Sequence, residues 1–329
     1  MVMAQSLFIT LKQQNPDVLI DVLAPAWSKP LLVRMPQVNE ALDMPLGHGA
    51  IELKARYRLG KSLRSKKYDQ AILLPNSWKS ALVPWFARIP IRTGWRGEMR
   101  YGLVNDIRLL DKQKYPLMVE RFNALAFPVG TPLPDKQPLP RLQVKAENTD
   151  QLLQQFNLNK NRPILVLCPG AEFGPAKRWP EGHYAEVARI KISEGWQVWI
   201  MGSAKDQPVA DSILAIQPEN QRSYCRVLAG NTSLEQAIDL ISLADAVVSN
   251  DSGLMHISAA LQRPLAVVYG STSPGFTPPL SDNVAILSIP VDCGPCFQRE
   301  CPLGHLKCLN DLSPQMVLTA LDRLEKQAQ

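Results

Sequence analysis

Five runs in the second half of the chain are apolar almost without interruption, and a segment of helical period separates most of them. They are PILVLCPG (163–170), WQVWIMGS (196–203), RVLAG (226–230), DAVVSND (245–251) and PLAVVYG (264–270). A strand apolar on both faces has to be covered on both faces, and helices between such strands make the sheet parallel. The intervening helices read at 183–195, 206–216, 233–244 and 253–262, with Ser233 and Gln236 forming a capping box at one start. The first half alternates less cleanly. A helix begins almost at residue 1, strands follow at 18–24, 38–44, 69–75 and 91–95, and helices at 27–34, 51–67, 79–89 and 116–127. Between the halves lies a proline-rich stretch without helical period, 128–144, which reads as a linker. The fold class expected is α/β: two doubly wound, Rossmann-like parallel-sheet domains, 1–144 and 145–329, facing a cleft. The final helix, 313–327, is expected to pack back on the first domain.

With 46% hydrophobic and 20% charged residues, the chain has the composition of a globular protein with a real core. Its net charge of +6 suits an anionic substrate or a membrane surface without requiring either. The basic residues are interspersed with acids, so no nucleic-acid partner is expected. No run of about 18 apolar residues is present to span a bilayer. The opening, MVMAQSLFITLKQQ, lacks the basic start and continuous apolar run of a signal peptide, so the expected compartment is the cytoplasm.

Ligands of doubly wound sheets bind at the carboxyl ends of the strands. Asp251, Ser252 and Gly253 end one strand and open a helix. Free amides at a helix start attract phosphate, and glycine permits close approach. Asp251 suits sugar hydroxyls better than phosphate, although Asp and Ser there also serve as plain N-caps. The loop PGAEFGPAKRWP (169–180) carries Gly170 and the cations Lys177 and Arg178, which suit a diphosphate. Trp179 argues against a merely solvated loop. Asp206, just past another strand, could take a ribose diol or simply cap a helix. His256, one turn into the helix after Gly253, is within reach of the same ligand, and a satisfied helix histidine is the alternative. His183 reads as a packing residue. In the first half, Arg92, Arg96 and Arg100 surround Trp95, a grouping suited to an anionic carbohydrate or to a structural turn. His48, on a glycine-flanked loop, is a further acceptor candidate. Neither a GxGxxG after a strand nor a GxxxxGK[ST] is present.

Six cysteines are present, four of them within CGPCFQRECPLGHLKC (293–308). That spacing, with His305 inside it, permits a zinc knuckle of purely structural role. Reduced thiols in a compact loop are the reading adopted. Cys168 and Cys225 read as buried thiols.

The segments MPLGHGA, LPNSWKSALVP, RTGWRGEMRYG, CPGAEFGPAKRWP, GSAKD, NDSGLMHISAAL and FTPPLS together resemble the heptosyltransferases of glycosyltransferase family 9, specifically the type that adds a second heptose. The resemblance covers nearly the whole chain. It implies a GT-B fold, with ADP-L-glycero-β-D-manno-heptose bound by the second domain. It also implies an acceptor, lipid A–Kdo already carrying one heptose, on the first domain, and transient contact with the inner membrane where that acceptor is anchored. The implied transfer inverts the anomeric centre and uses neither metal nor cofactor. Lys177 would neutralise the diphosphate, Asp206 hold the ribose, Asp251 bind the heptose, and the Ser252 and Gly253 amides meet the phosphates. Arg92, Trp95, Arg96 and Arg100 would serve the acceptor.

One departure stands out. The family opens with a strand and a glycine-containing loop whose aspartate is taken as the general base. This sequence opens inside the helix that follows, so that strand and its aspartate are not in it. A late-placed start and a truly shortened protein are both compatible with this. The expectation is a chain that keeps the donor site and transfers poorly. The rival readings are a GT-B enzyme for another nucleotide sugar, and a donor-binding protein without turnover.

Overall fold

The computed structural model describes residues 1–47, 49 and 51–328. Its contacts divide the chain into two units, the first built mainly from Met3–Val33 and Gln37–Pro138, the second from Arg34–Pro36 and Leu139 onward. The division at Pro138 falls inside the proline-rich stretch.

The first unit runs α1 (Gln5–Gln14), β1 (Asp21–Ala24), α2 (Lys29–Leu32), β2 (Glu40–Asp43), α3 (Leu53–Leu63), β3 (Gln70–Leu73), α4 (Leu82–Phe86), β4 (Ile91–Trp95), β5 (Asp106–Arg108) and α5 (Met118–Asn123). All its ladders are parallel, but they form two sheets, β1-β2 and β3-β4-β5. Among the described residues no strand joins the two. β5 went unread in the sequence: Asp-Ile-Arg carries too little apolar pattern to declare a strand.

The second unit runs α6 (Ala146–Gln155), β6 (Ile164–Cys168), α7 (Glu181–Ser193), β7 (Gln197–Ile200), α8 (Gln207–Ile216), α9 (Glu219–Arg222), β8 (Cys225–Val227), α10 (Leu234–Ile241), β9 (Ala246–Asn250), α11 (Gly253–Ala260), β10 (Leu265–Tyr269), β11 (Val284–Ser288), α12 (Lys307–Asn310) and α13 (Pro314–Ala328). Its six strands form one parallel sheet in the order β11-β10-β9-β6-β7-β8. Every residue of β6, β9 and β10 is buried, as their unbroken apolar runs require. Ser233 accepts from the Gln236 amide at 3.2 Å while Gln236 Oε1 accepts from the Ser233 amide at 2.9 Å, which completes the capping box. β11 was missed because it is a half-exposed edge strand.

α13 belongs to the second unit and lies on α7, β10 and β11. Val317 and Leu321 join the main apolar core, and the buried Lys191 of α7 pairs with Glu325 at 2.9 Å and Asp322 at 3.6 Å. A buried ammonium needs such partners, and the C-cap of α7 supplies another, Glu194 at 3.0 Å.

Candidate functional site

The strand order of the second unit contains one reversal. The chain winds outward from β6 through β7 to β8, then returns to lay β9 on the other side of β6 and winds outward again through β10 to β11. The loops after β6 and β9 therefore diverge from adjacent strands, which opens a crevice at their carboxyl ends. Two of the segments singled out in the sequence, 169–180 and 250–253, are those two loops.

They meet through a charge pair. Lys177 Nζ stands 2.6 Å from Asp251 Oδ2 and 3.5 Å from the Asp251 carbonyl oxygen. Thr272, just past β10, donates its hydroxyl to the same Oδ2 at 2.6 Å. Three consecutive central strands thus each deliver one polar side chain to one point. Asp251 is buried and Lys177 nearly so. The Lys177 ammonium also lies 5.0 Å from the centre of the Phe173 ring. Thr272 was not foreseen; the strand-end rule applied to GSTSP after β10 would have found it.

The loop that carries Lys177 is held by buried polar bonds. Asn250 donates to the Pro169 carbonyl at 2.6 Å and accepts from the Trp179 amide and the Tyr184 hydroxyl, each at 3.1 Å. Trp179 is fully buried, and its indole N–H donates to the Leu312 carbonyl at 2.8 Å. On the other side the Ala176 amide donates to the Arg299 carbonyl at 3.0 Å, and the Ser271 amide to the Ala176 carbonyl at 3.1 Å. The ammonium is therefore placed before any ligand arrives.

Ser252 caps α11, accepting from the Met255 amide at 3.4 Å. Gly253 is exposed, with no heavy atom within 4 Å of where a Cβ would stand, so the helix start is open to an anion. His256, one turn in, has its pKa drawn down to about 4 by burial, with Lys177 acting in the same direction and Asp251 against it. It is neutral at pH 7.

Asp206 makes the bonds of a helix cap. Its Oδ2 accepts from the Ser203 amide at 2.9 Å and the Ser203 hydroxyl at 2.8 Å, and the residue is buried. Gly170 lies directly on it: a Cβ there would collide with the Asp206 carboxylate. The two residues follow β6 and β7, and Oδ2 is the carboxylate oxygen engaged in the capping bonds.

In the first unit the four arginine and tryptophan acceptor candidates differ in their surroundings. Arg100 is buried and donates to the carbonyls of Pro75 at 2.8 Å and Trp95 at 2.5 Å. Arg92 donates to the carbonyls of Leu103 at 2.6 Å and Ile89 at 2.5 Å. Trp95 is buried, with its indole N–H on the Arg121 carbonyl at 3.0 Å. These three brace β4 and its turn, and Arg96 alone of the four is exposed. His48 lies outside the described residues. His183 packs on Trp179 with ring centres 5.2 Å apart.

The four clustered cysteines are free and, with His305, line a cavity of about 20 Å³, where Cys293 Sγ stands 4.0 Å from His305 Nε2. Among the described residues no three His, Cys, Asp or Glu side chains stand where they could hold a metal ion. Backbone amides of 303–306 point at Cys301 and hold its thiol pKa below the usual value. Cys168 and Cys225 are buried, and burial pushes the Cys225 thiol up to about 12.

The model of glycosyltransferase family 9 (heptosyltransferase) matches residues 56–307. The chain belongs to glycosyltransferase family 9. It is 54% identical to lipopolysaccharide heptosyltransferase 2 of Salmonella typhimurium, an alignment covering 98% of this chain and 94% of the relative. It is 50% identical to lipooligosaccharide heptosyltransferase 2 of Haemophilus influenzae over 98% and 95% of the two chains. The solved structure of Escherichia coli ADP-heptose lps heptosyltransferase II superposes with a TM-score of 0.90 at 51% identity, covering 100% of this chain and 96% of that one. The family's glycosyl-transfer chemistry and GT-B fold are thus those of this chain, and the expectation of an α/β architecture with parallel sheets holds in both units.

Proposed function

We propose that the chain transfers L-glycero-D-manno-heptose from ADP-heptose to the first heptose of the lipopolysaccharide inner core, in the cytoplasm and in transient contact with the inner membrane. The observation that carries the reading is the meeting of Lys177, Asp251 and Thr272 at the reversal of the second sheet, beside the open start of α11. As the acceptor hydroxyl attacks the anomeric carbon, the bond from that carbon to the β-phosphate oxygen breaks, ADP leaves with its electron pair, and the hydroxyl proton passes to solvent water. Charge develops on the diphosphate, where the Lys177 ammonium and the Ser252 and Gly253 amides receive it. Asp251, already bonded by Thr272, offers its remaining acceptor capacity to heptose hydroxyls. His256, neutral, lies near the same pair as a hydrogen-bonding side chain. For the acceptor, Arg96 is the exposed arginine of its cluster. The names of the close relatives support heptose as the group moved and ADP as its carrier.

The test is transfer of heptose from ADP-heptose to a mono-heptosylated core acceptor, with ADP and UDP as competitors. Inhibition by ADP and not by UDP is the expected result. Inhibition by UDP alone would assign the site to a different nucleotide sugar.

A further inference from the structure

The first unit carries a cationic and aromatic face that none of the chemistry above uses. α3 lies against α4 through its buried Arg56 and Gly60, where a Cβ at Gly60 would run into Phe86 and Val83. The helical period then turns Lys54, Arg58 and Lys61 to the opposite side, and all three are exposed. Along the flank of that stripe stand Leu53 and Tyr57, one turn apart and 52% and 44% exposed. The Tyr57 ring meets Phe86 edge-on at 5.2 Å, and Phe86 meets Trp85 at 5.0 Å, so the aromatic strip continues onto α4. Trp85 is itself 45% exposed, and the exposed Arg88 follows it. Four cations and one acid, Glu52, thus edge a band of Leu, Tyr and Trp.

A purely solvated helix face has no need of an exposed Leu, Tyr and Trp together. A surface that rests on a bilayer needs both components. Trp and Tyr settle at the headgroup level, and Lys and Arg are drawn to an anionic leaflet. No helix among the described residues is long and apolar enough to cross a membrane, so any membrane contact by them is of this surface kind. We infer that the α3–α4 face, through Lys54, Arg58, Lys61, Tyr57 and Trp85, docks the protein on an anionic phospholipid surface. The inference rests on the membrane contact proposed above and gives it an address.

The test uses the full chain and vesicles of phosphatidylcholine with and without phosphatidylglycerol, free of any core acceptor. The expected result is sedimentation with the anionic vesicles, weakened by salt, and a blue shift of tryptophan emission that Trp85→Phe removes. Each Lys or Arg near an anionic leaflet contributes about a fivefold factor, so Lys54→Glu/Arg58→Glu/Lys61→Glu should weaken binding about 100-fold. A control with the same charge change elsewhere, Lys112→Glu/Lys136→Glu/Lys160→Glu, should weaken it far less. All variants are also assayed on a short water-soluble acceptor, where unchanged turnover shows that folding and the donor site are intact. If the α3 variant binds vesicles no worse than the control, the face is wrong while membrane contact stands. If the wild-type chain ignores anionic vesicles, both fail, and turnover on the soluble acceptor still judges the heptosyl transfer separately. Binding that appears only when the vesicles carry core acceptor would also overturn the proposal, since the face would then read the acceptor's anions.

Discussion

The strand ends of the two units present similar residues with opposite purposes. Within β4 and the turn after it in the first unit, Arg92 and Arg100 place their guanidinium groups on backbone carbonyls, and Trp95 does the same with its indole N–H. After β6, β9 and β10 in the second, Lys177, Asp251 and Thr272 bond one another across three loops, beside an open helix start. A charged side chain whose partners are its own backbone neighbours completes a turn. One whose partners come from three separate strand ends gains nothing local, and its arrangement makes sense when a ligand joins it. Residue type does not separate the two cases; the origin of the partners does.

The comparison breaks first at Asp251. Replacing it with Ala should lower kcat/KM for heptose transfer about 100- to 1,000-fold, the usual effect of removing a preorganised polar group from a site of developing charge. The nearly buried Lys177 ammonium loses its partner at the same time, so some stability should go with the activity. Arg100→Ala should cost stability alone, about 3 kcal/mol because buried carbonyls lose a charged donor, with ADP affinity intact in the folded fraction. Thermal unfolding alongside ADP titration of both variants reads the contrast. A folded, stable Arg100→Ala chain that had lost transfer would move the first-unit cluster back into the site.

His256 sharpens the picture through pH. Its folded pKa of about 4 lies below the unfolded value, so the unfolded chain binds the proton more readily. The stability tied to neutral His256 is complete above about pH 6.5 and is lost as pH falls toward 4. Between pH 7 and 5 the loss attributable to this residue should be about 2 kcal/mol, and denaturant unfolding of His256→Gln should lack it. Equal pH slopes for the two chains would show that His256 titrates normally. The smallest effect is expected at Thr272. Val in its place removes one hydrogen bond from Asp251, worth about 1 kcal/mol, and should reduce turnover about fivefold. A steady-state assay resolves that; a drop as deep as that of Asp251→Ala would make the hydroxyl a direct ligand contact.

The second unit was legible because its strands are buried on both faces, and burial leaves a continuous apolar signature. β6, β9 and β10 were found close to their true bounds, and with them the loops that hold Lys177 and Asp251. The edge strands β5 and β11 escaped because a half-exposed strand of three to five residues has no such signature. Asp206 and Arg100 show what sequence cannot carry. Each residue type suits a ligand, and each proved to be bonded within the fold, a matter of which backbone groups lie opposite. The turn of α13 onto α7 was equally silent, since the α13 partners of Lys191 lie more than a hundred residues further on.

The central claim is that the pair formed by Lys177 and Asp251 is the diphosphate-sugar site. Calorimetric titration of ADP into the wild-type chain and into Lys177→Ala tests it most directly. The account predicts ADP binding by the wild type and at least a tenfold weaker affinity in the variant, since one charge-assisted contact to phosphate is worth about 1.5–3 kcal/mol. Equal ADP affinity in the two chains, with both folded, would contradict it.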